Sequence, residues 1–307
     1  QIEPKIIEKA KNDCNWINAM QDELNQFKRN NVWTIVDRPS NVSIIGTKWV
    51  FRNKLDENGI VIDDLKKYDV NIAYVTPSHQ FPTGAIMSIS RRTELLNWAN
   101  ENPDCYIVED DYDSEFKYTG RPIPALKAND INDKVIYLGS FSKSISPAIR
   151  VSYLVLPKTL LNIYQRELPY FICPVPTLNQ KILYRFIKDG YFVKHINKMR
   201  TLYKKKREFL VNTIKSYSSE ILNKEIQIQG ADAGLHMVIK LNQKINEKLF
   251  LNECLENSLK LYSLEEYNIE EIHREKSYFL LGYANLTNKE IEEGILLMLK
   301  ILKKYYI

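Results

Sequence analysis

The sequence predicts an α/β protein: a mixed, mostly parallel sheet flanked by helices, followed by a small α+β domain and preceded by a helix-plus-hairpin appendage. Three observations carry this expectation. Short apolar runs recur between residues 71 and 156 with a helical stretch among them, the pattern of buried strands in an α/β sheet. Polar residues follow these runs directly, and open α/β sheets carry their sites at the carboxyl ends of strands. Past residue 220, strand-like and helical segments end in a Thr287-x-x-Glu290 capping box that opens a last helix.

The elements are read in order. Trp16, Met20, Leu24 and Phe27 form one helical stripe, with Asn12 or Asp13 as N-cap. Residues 32–36 and 48–52 read as strands. Residues 56–59 (DENG) form a turn from which 60–62 return as a hairpin partner. Strand runs follow at 71–75, 106–108, 135–138 and 151–156, with a helix over 91–100. Residues 158–217 read mostly as helix. The Lys204–Arg207 run lies within it and reads as a solvated helix face, not a nucleic-acid patch. Further strands run from Gly234 to Leu241 and from Ser277 to Ala284. The expected divisions are 1–59, 60–165, 166–220 and 221–307.

Composition removes several classes. No apolar stretch approaches the roughly 18 residues of a membrane span, and the polar start, residues 1–11, does not read as a secretory signal. The net charge of +5 is spread among acidic residues and demands no nucleic-acid partner. Cys14, Cys105, Cys173 and Cys254 form no CxxC, which fits a reducing, cytoplasmic setting. GxGxxG, Walker and HExxH motifs do not occur.

Two strand ends carry the chemistry. One is residues 109–116 (EDDYDSEF); the other is 139–144 (GSFSKS), with Arg150 beyond it. A lysine at a strand end in a partly dry site has a lowered pKa and forms imines with aldehyde cofactors. Lys143 is so placed. Pyridoxal 5'-phosphate also needs a carboxylate at its ring nitrogen, a donor to its ring hydroxyl and an anion site. Asp110 suits the first and Tyr112 the second. Ser140, Ser142 and Arg150 suit the third, Arg150 through a bidentate contact. Other readings compete. Ser140-x-x-Lys143 matches an acyl-serine motif, but its SDN and KTG companions are absent. Asp111 and Asp113 suggest a calcium loop, but Phe116 stands where glycine is needed. Asp63-Asp64 matches a polymerase pair but reads better as a solvated helix start.

Residues 60–307 resemble the aminotransferase-like domain of MocR/GabR-type transcriptional regulators. The motifs are residues 74–84 (YVTPSHQFPTG), 106–116 (YIVEDDYDSEF), 121–126 (RPIPAL), 135–143 (VIYLGSFSK) and 281–286 (LGYANL), in matching order and spacing. The resemblance implies a partial fold-type I pyridoxal-phosphate architecture. It makes Lys143 the Schiff-base lysine, Asp110 the ring-nitrogen partner, Tyr112 the ring-hydroxyl partner and Arg150 a phosphate ligand. Phe81 stands where ordinary aminotransferases carry asparagine. Residues 16–27 (WINAMQDELNQF), 31–33 (NVW) and 45–59 (IGTKWVFRNKLDENG) are similar to the opening of Copia-type retrotransposon reverse transcriptases. No Tyr-x-Asp-Asp follows, so polymerase activity is not implied.

By these resemblances the chain is a fusion with its seam near 56–62. The expected function is sensing of an amino acid or amine through an external aldimine. The regulators' DNA-binding head and first phosphate-binding turn have no counterpart in residues 1–59. Direct DNA binding is therefore not expected, and cofactor affinity is expected to be weakened. A homodimer is implied by the family. The rival readings are a working class I/II aminotransferase, a fusion without integrated function, and nucleic-acid binding by the first sixty residues.

Overall fold

A four-stranded sheet holds the first half of the fold together, and its strands begin where chain polarity changes. The computed structural model describes residues 55–56, 59–120, 123–170, 172–267 and 275–306. The stripe at 16–27, the strands expected at 32–36 and 48–52 and the reverse-transcriptase resemblance before residue 55 lie outside them. The described residues fall in one unit, Thr47–Ile307.

A short ladder pairs β1 (Leu55–Asp56) with β2 (Gly59–Ile60), Leu55 opposite Ile60. The chain then enters α1 (Ile62–Lys67), so Ile62 starts a helix instead of extending the hairpin. Asp63 and Asp64 lie in its first turn, where acidic side chains complement the helix dipole.

The larger sheet has the order β3 (Ile72–Val75), β4 (Tyr106–Asp111), β5 (Val135–Ser140), β6 (Ser152–Val155). The first two pairings are parallel and the last is antiparallel. Between β3 and β4 runs α2 (Ile89–Glu101), whose N-cap Ser88 accepts a hydrogen bond from the Arg91 N–H. Leu95, Trp98 and Ala99 on its inner face pack with Ala73, Val75, Ile107 and Val135 from the sheet. Burying such side chains contributes about 1.5–3 kcal/mol for each large one. The other sheet face, which carries Tyr74 and Asp110, is left for a cavity. None of the four residues of β6 is buried, nor any of the ten of α4 (Lys158–Glu167).

Helix α5 (Thr177–Lys188) leads to the 32-residue α6 (Tyr191–Leu222). Lys204 and Lys205 face solvent as the charge run predicts. Lys206 and Arg207 instead donate to the carbonyls of Ala284 and Ala231. The second sheet is antiparallel, ordered β7 (Gln227–Gln229), β8 (His236–Lys240), β10 (Tyr278–Gly282), β9 (Tyr262–Ser263). It packs on α6, α7 (Glu247–Glu256) and α8 (Asn288–Leu302) around Ile214, Ile239, Phe250, Phe279 and Leu299. The capping box of Thr287 and Glu290 is formed. The two halves meet where the Gly234 N–H donates to the Phe116 carbonyl and the Tyr118 N–H to that of Asp232. The hydroxyls of Tyr118 and Tyr283 both donate to the Gly234 carbonyl. Among the described residues, no helix is long and apolar enough to cross a membrane.

Candidate cofactor site

Strand β4 runs through the acidic cluster instead of stopping before it. Successive side chains of a strand point to opposite faces, so the adjacent acids part company. Glu109 is fully buried and accepts the N–H groups of Leu126 and Lys127 at 2.8 and 2.9 Å. Asp111 accepts from the Tyr137 hydroxyl at 2.6 Å and the Ser114 hydroxyl at 2.8 Å. Both are taken up by structure. Asp110 faces the other way, into a cavity of about 820 Å³. The calcium-loop reading gains no support here, because Asp111 is already taken up by two hydroxyls.

The same cavity is lined by Tyr112 and Lys143, and by Ile72, Phe81, His236 and Leu280. Lys143 sits in the single-turn helix α3 (Phe141–Ser144), which follows β5 without a break. Ser140 starts that turn as N-cap, its Oγ accepting the Ser142 N–H at 3.1 Å. The local sequence therefore turns the chain at the end of β5 and leaves Lys143 beside the carboxylate-bearing end of β4. Lys143 is exposed along the cavity, so the partly dry setting expected for it is not found.

The hydroxyl of Tyr74, on β3, donates to Asp110. Burial pushes the Asp110 carboxyl above its ordinary range, and the Tyr74 bond opposes that shift. Tyr74 itself is pushed up by burial and by the carboxylate. The Tyr112 hydroxyl donates to the His79 carbonyl at 2.7 Å. Burial and the neighbouring acids push its ionisation up, so it stays a donor at neutral pH. His236 is held neutral, at about 3, chiefly by burial. Phe81 packs edge-on to Tyr267 with ring centroids 5.0 Å apart and to His236 at 5.6 Å.

The structure thus brings together Lys143, Asp110 and Tyr112. Ser140, Ser142 and Arg150 are not among the residues lining the cavity. Arg150 is exposed, in the left-handed region at φ 50°, at the end of the 3-10 turn Pro147–Ile149. The residues present fit pyridoxal phosphate in two respects: an amine that can hold an aldehyde and a carboxylate that can face a ring nitrogen share one cavity. Sequence reasoning did not single out Tyr74 or His236, and it considered Asp113 only as part of a calcium loop. For Tyr74 a signal existed, since it alternates with the buried Ala73 and Val75 and must face the opposite side. Nothing local marks His236.

Comparison with known proteins places this geometry. The aminotransferase class I and II family matches residues 50–295. An uncharacterized HTH-type transcriptional regulator, YdeL of Bacillus subtilis, is 38% identical over 242 residues, covering 78% of this chain and 50% of that protein. The probable rhizopine catabolism regulatory protein MocR of Rhizobium meliloti is 30% identical, covering 78% of this chain and 48% of that protein. The chain spans about half the length of these regulators. Among solved structures, the multiple substrate aminotransferase of Thermococcus profundus superposes with a TM-score of 0.70 at 27% identity, covering 81% of this chain and 62% of that one. The Pyrococcus horikoshii kynurenine aminotransferase gives 0.70 at 26%, with the same coverage. The fold is the fold-type I aminotransferase-like α/β fold, its mixed and mostly parallel sheet flanked by helices. The chain belongs to the aminotransferase class I and II family.

Proposed function

We propose that this chain is a pyridoxal-phosphate-binding domain of the MocR/GabR type, in which Lys143 holds the cofactor covalently and an amino acid or amine is the ligand sensed. The observation that carries the reading is that Lys143 and Asp110 line one cavity of about 820 Å³ from the ends of neighbouring parallel strands. Bound there, pyridoxal phosphate supplies an aldehyde that an incoming amine can take over from Lys143, and an electron-withdrawing ring. Asp110, ionised, would keep a proton on the ring nitrogen. Tyr112 would offer its hydroxyl to the ring oxygen in exchange for the His79 carbonyl. Ser140, Ser142 and Arg150 remain the proposed phosphate ligands, and they would have to turn toward the cavity to serve.

A class I/II aminotransferase is the second reading, favoured by the likeness to solved aminotransferases at 26–27% identity. There Lys143 would also carry protons to and from the substrate carbon. A homodimer and a cytoplasmic setting belong to the same proposal.

The test is borohydride reduction of the full chain mixed with pyridoxal phosphate, followed by peptide mapping. The expected result is one pyridoxyl group on Lys143, lost in Lys143→Ala. Labelling spread over surface lysines would reject the site. Single-turnover conversion of the bound cofactor to its amine form by amino acids would favour the enzyme over the sensor.

A further inference from the structure

Three side chains beside the cavity form a group that the cofactor reading leaves unused. His79 follows β3, Asp113 follows β4, and His236 opens β8 of the other sheet. One donor atom from each lies within 4.8 Å of the other two. His79 and Asp113 are 1% and 2% exposed. His79 Nδ1 is 2.9 Å from Asp113 Oδ2. The two imidazole rings lie with centroids 4.3 Å apart.

The group is incompletely satisfied. Asp113 Oδ1 and His236 Nε2 are both enclosed and have no hydrogen-bond partner. Leaving one such atom unpaired costs about 1–3 kcal/mol, and folded proteins rarely do so without a water or an ion. The orphaned pair is complementary to a cation. The Pro82 carbonyl favours a proton on the His236 ring, and Nε2, which has no partner, is the nitrogen left to ligate. Gly234 is what lets the two side chains come together against the backbone, because a Cβ there would fall 1.9 Å from His79 Nδ1 and 2.4 Å from Asp113 Oδ2.

We propose that His79, Asp113 and His236 form a binding site for a divalent transition metal of the zinc class. Two imidazoles and a carboxylate are a donor set that such ions prefer over calcium or magnesium. Ligand bonds of about 2.0–2.2 Å place donor atoms roughly 3–3.5 Å apart. The His79–Asp113 pair already has nearly that spacing, and His236, within 4.8 Å of both, would close in by up to roughly 1.5 Å. Coordination replaces the His79–Asp113 hydrogen bond, and the proton it held leaves to solvent. Asp113 and His236 also line the cavity, so a further ligand would reach the ion from there. Lys143 lines it too and opposes the ion electrostatically.

The test uses the full chain, stripped with a chelator and then titrated with Zn²⁺ or Co²⁺. One zinc per chain should survive desalting, and Co²⁺ should give the intense visible absorption of a four- or five-coordinate site. His236→Gln and Asp113→Asn should each weaken binding at least tenfold, with circular dichroism reporting that the variants fold. Lys143→Met should keep the metal, bound more tightly, while losing the borohydride label, so failure here and failure of the cofactor reading are separable. Three results would overturn the site: a folded chain that retains no metal, unchanged affinity in folded His236→Gln, or the weak Co²⁺ spectrum of an octahedral surface complex. The first would leave a buried water as the partner of the two orphaned atoms.

Discussion

Tyr74 and Asp110 are hydrogen-bonded across neighbouring parallel strands, hydroxyl to carboxylate. Tyr74 lies opposite Val108 in the register, and Asp110 is two residues further along the same face. The hydroxyl holds down a carboxyl that burial pushes up. Replacing it by Tyr74→Phe should therefore move the Asp110 titration midpoint higher still, as followed by carboxyl-carbon NMR. If the midpoint stays in place, or falls, the hydroxyl is not what keeps Asp110 ionised.

Arg92 serves the scaffold. Its guanidinium is buried and donates to three carbonyls: Pro77 at 2.8 Å, Pro124 at 2.9 Å and Met87 at 3.1 Å. These tie the segments after β3 and before β5 to α2. Arg92→Met keeps the apolar stem but strands the carbonyls, and should cost about 3 kcal/mol or more in urea unfolding. Arg92→Lys should recover only part, because an ammonium cannot reproduce the planar fork. A loss below about 0.5 kcal/mol, the level of an ordinary surface substitution, would show the network to be dispensable.

Glu115 gives a pH signature. Burial raises its carboxyl from 4.5 to about 6, against the pull of Arg200. The folded chain therefore holds this proton more tightly than the unfolded one. Its contribution to stability is present in full below pH 4.5 and is lost as the pH rises through about 6. Glu115→Gln should remove that slope and make the protein more stable than the parent at pH 7. Parallel stability curves for the two proteins between pH 4 and 7 would contradict the assignment.

Gly84 and Gly230 meet back to back. Both have positive φ, 73° and 69°. A Cβ on Gly84 would lie 2.5 Å from the Gly230 Cα, and one on Gly230 2.6 Å from the Gly84 Cα. Each alanine substitution therefore combines a left-handed backbone penalty of about 1–2 kcal/mol with a clash against backbone that cannot rotate away. Gly84→Ala and Gly230→Ala should each lower the thermal midpoint sharply. Gly190→Ala is the control: it has the same φ sign but nothing within 4 Å, so it should cost only the backbone penalty. Equal losses at all three positions would rule out the close approach.

Much of this protein is written in short stretches of chain. Apolar runs foretell β3, β5 and β10, and Thr287 with Glu290 foretells the last helix, because hydrophobic burial and capping depend on residues within a turn or two; the run at 151–156 also forms a strand, β6, but an exposed one. The motifs at 106–116 and 135–143 likewise bring the lysine and its carboxylate into view, since each follows its strand directly. Other features depend on the chain returning to itself. Glu109, Asp110 and Asp111 are adjacent acids whose roles separate only when the strand continues past Val108 and pleating sends them to opposite faces. His236 meets His79 where Gly234 is bound to Phe116 across the two halves of the fold. Arg150 shares a motif with Lys143 yet is not among the residues lining the cavity, and it closes the Pro147–Ile149 turn in the left-handed region. Backbone propensity and local burial are properties of neighbours in sequence, whereas the field inside a cavity is assembled from residues as far apart as 79 and 236, and packing alone decides which of them meet.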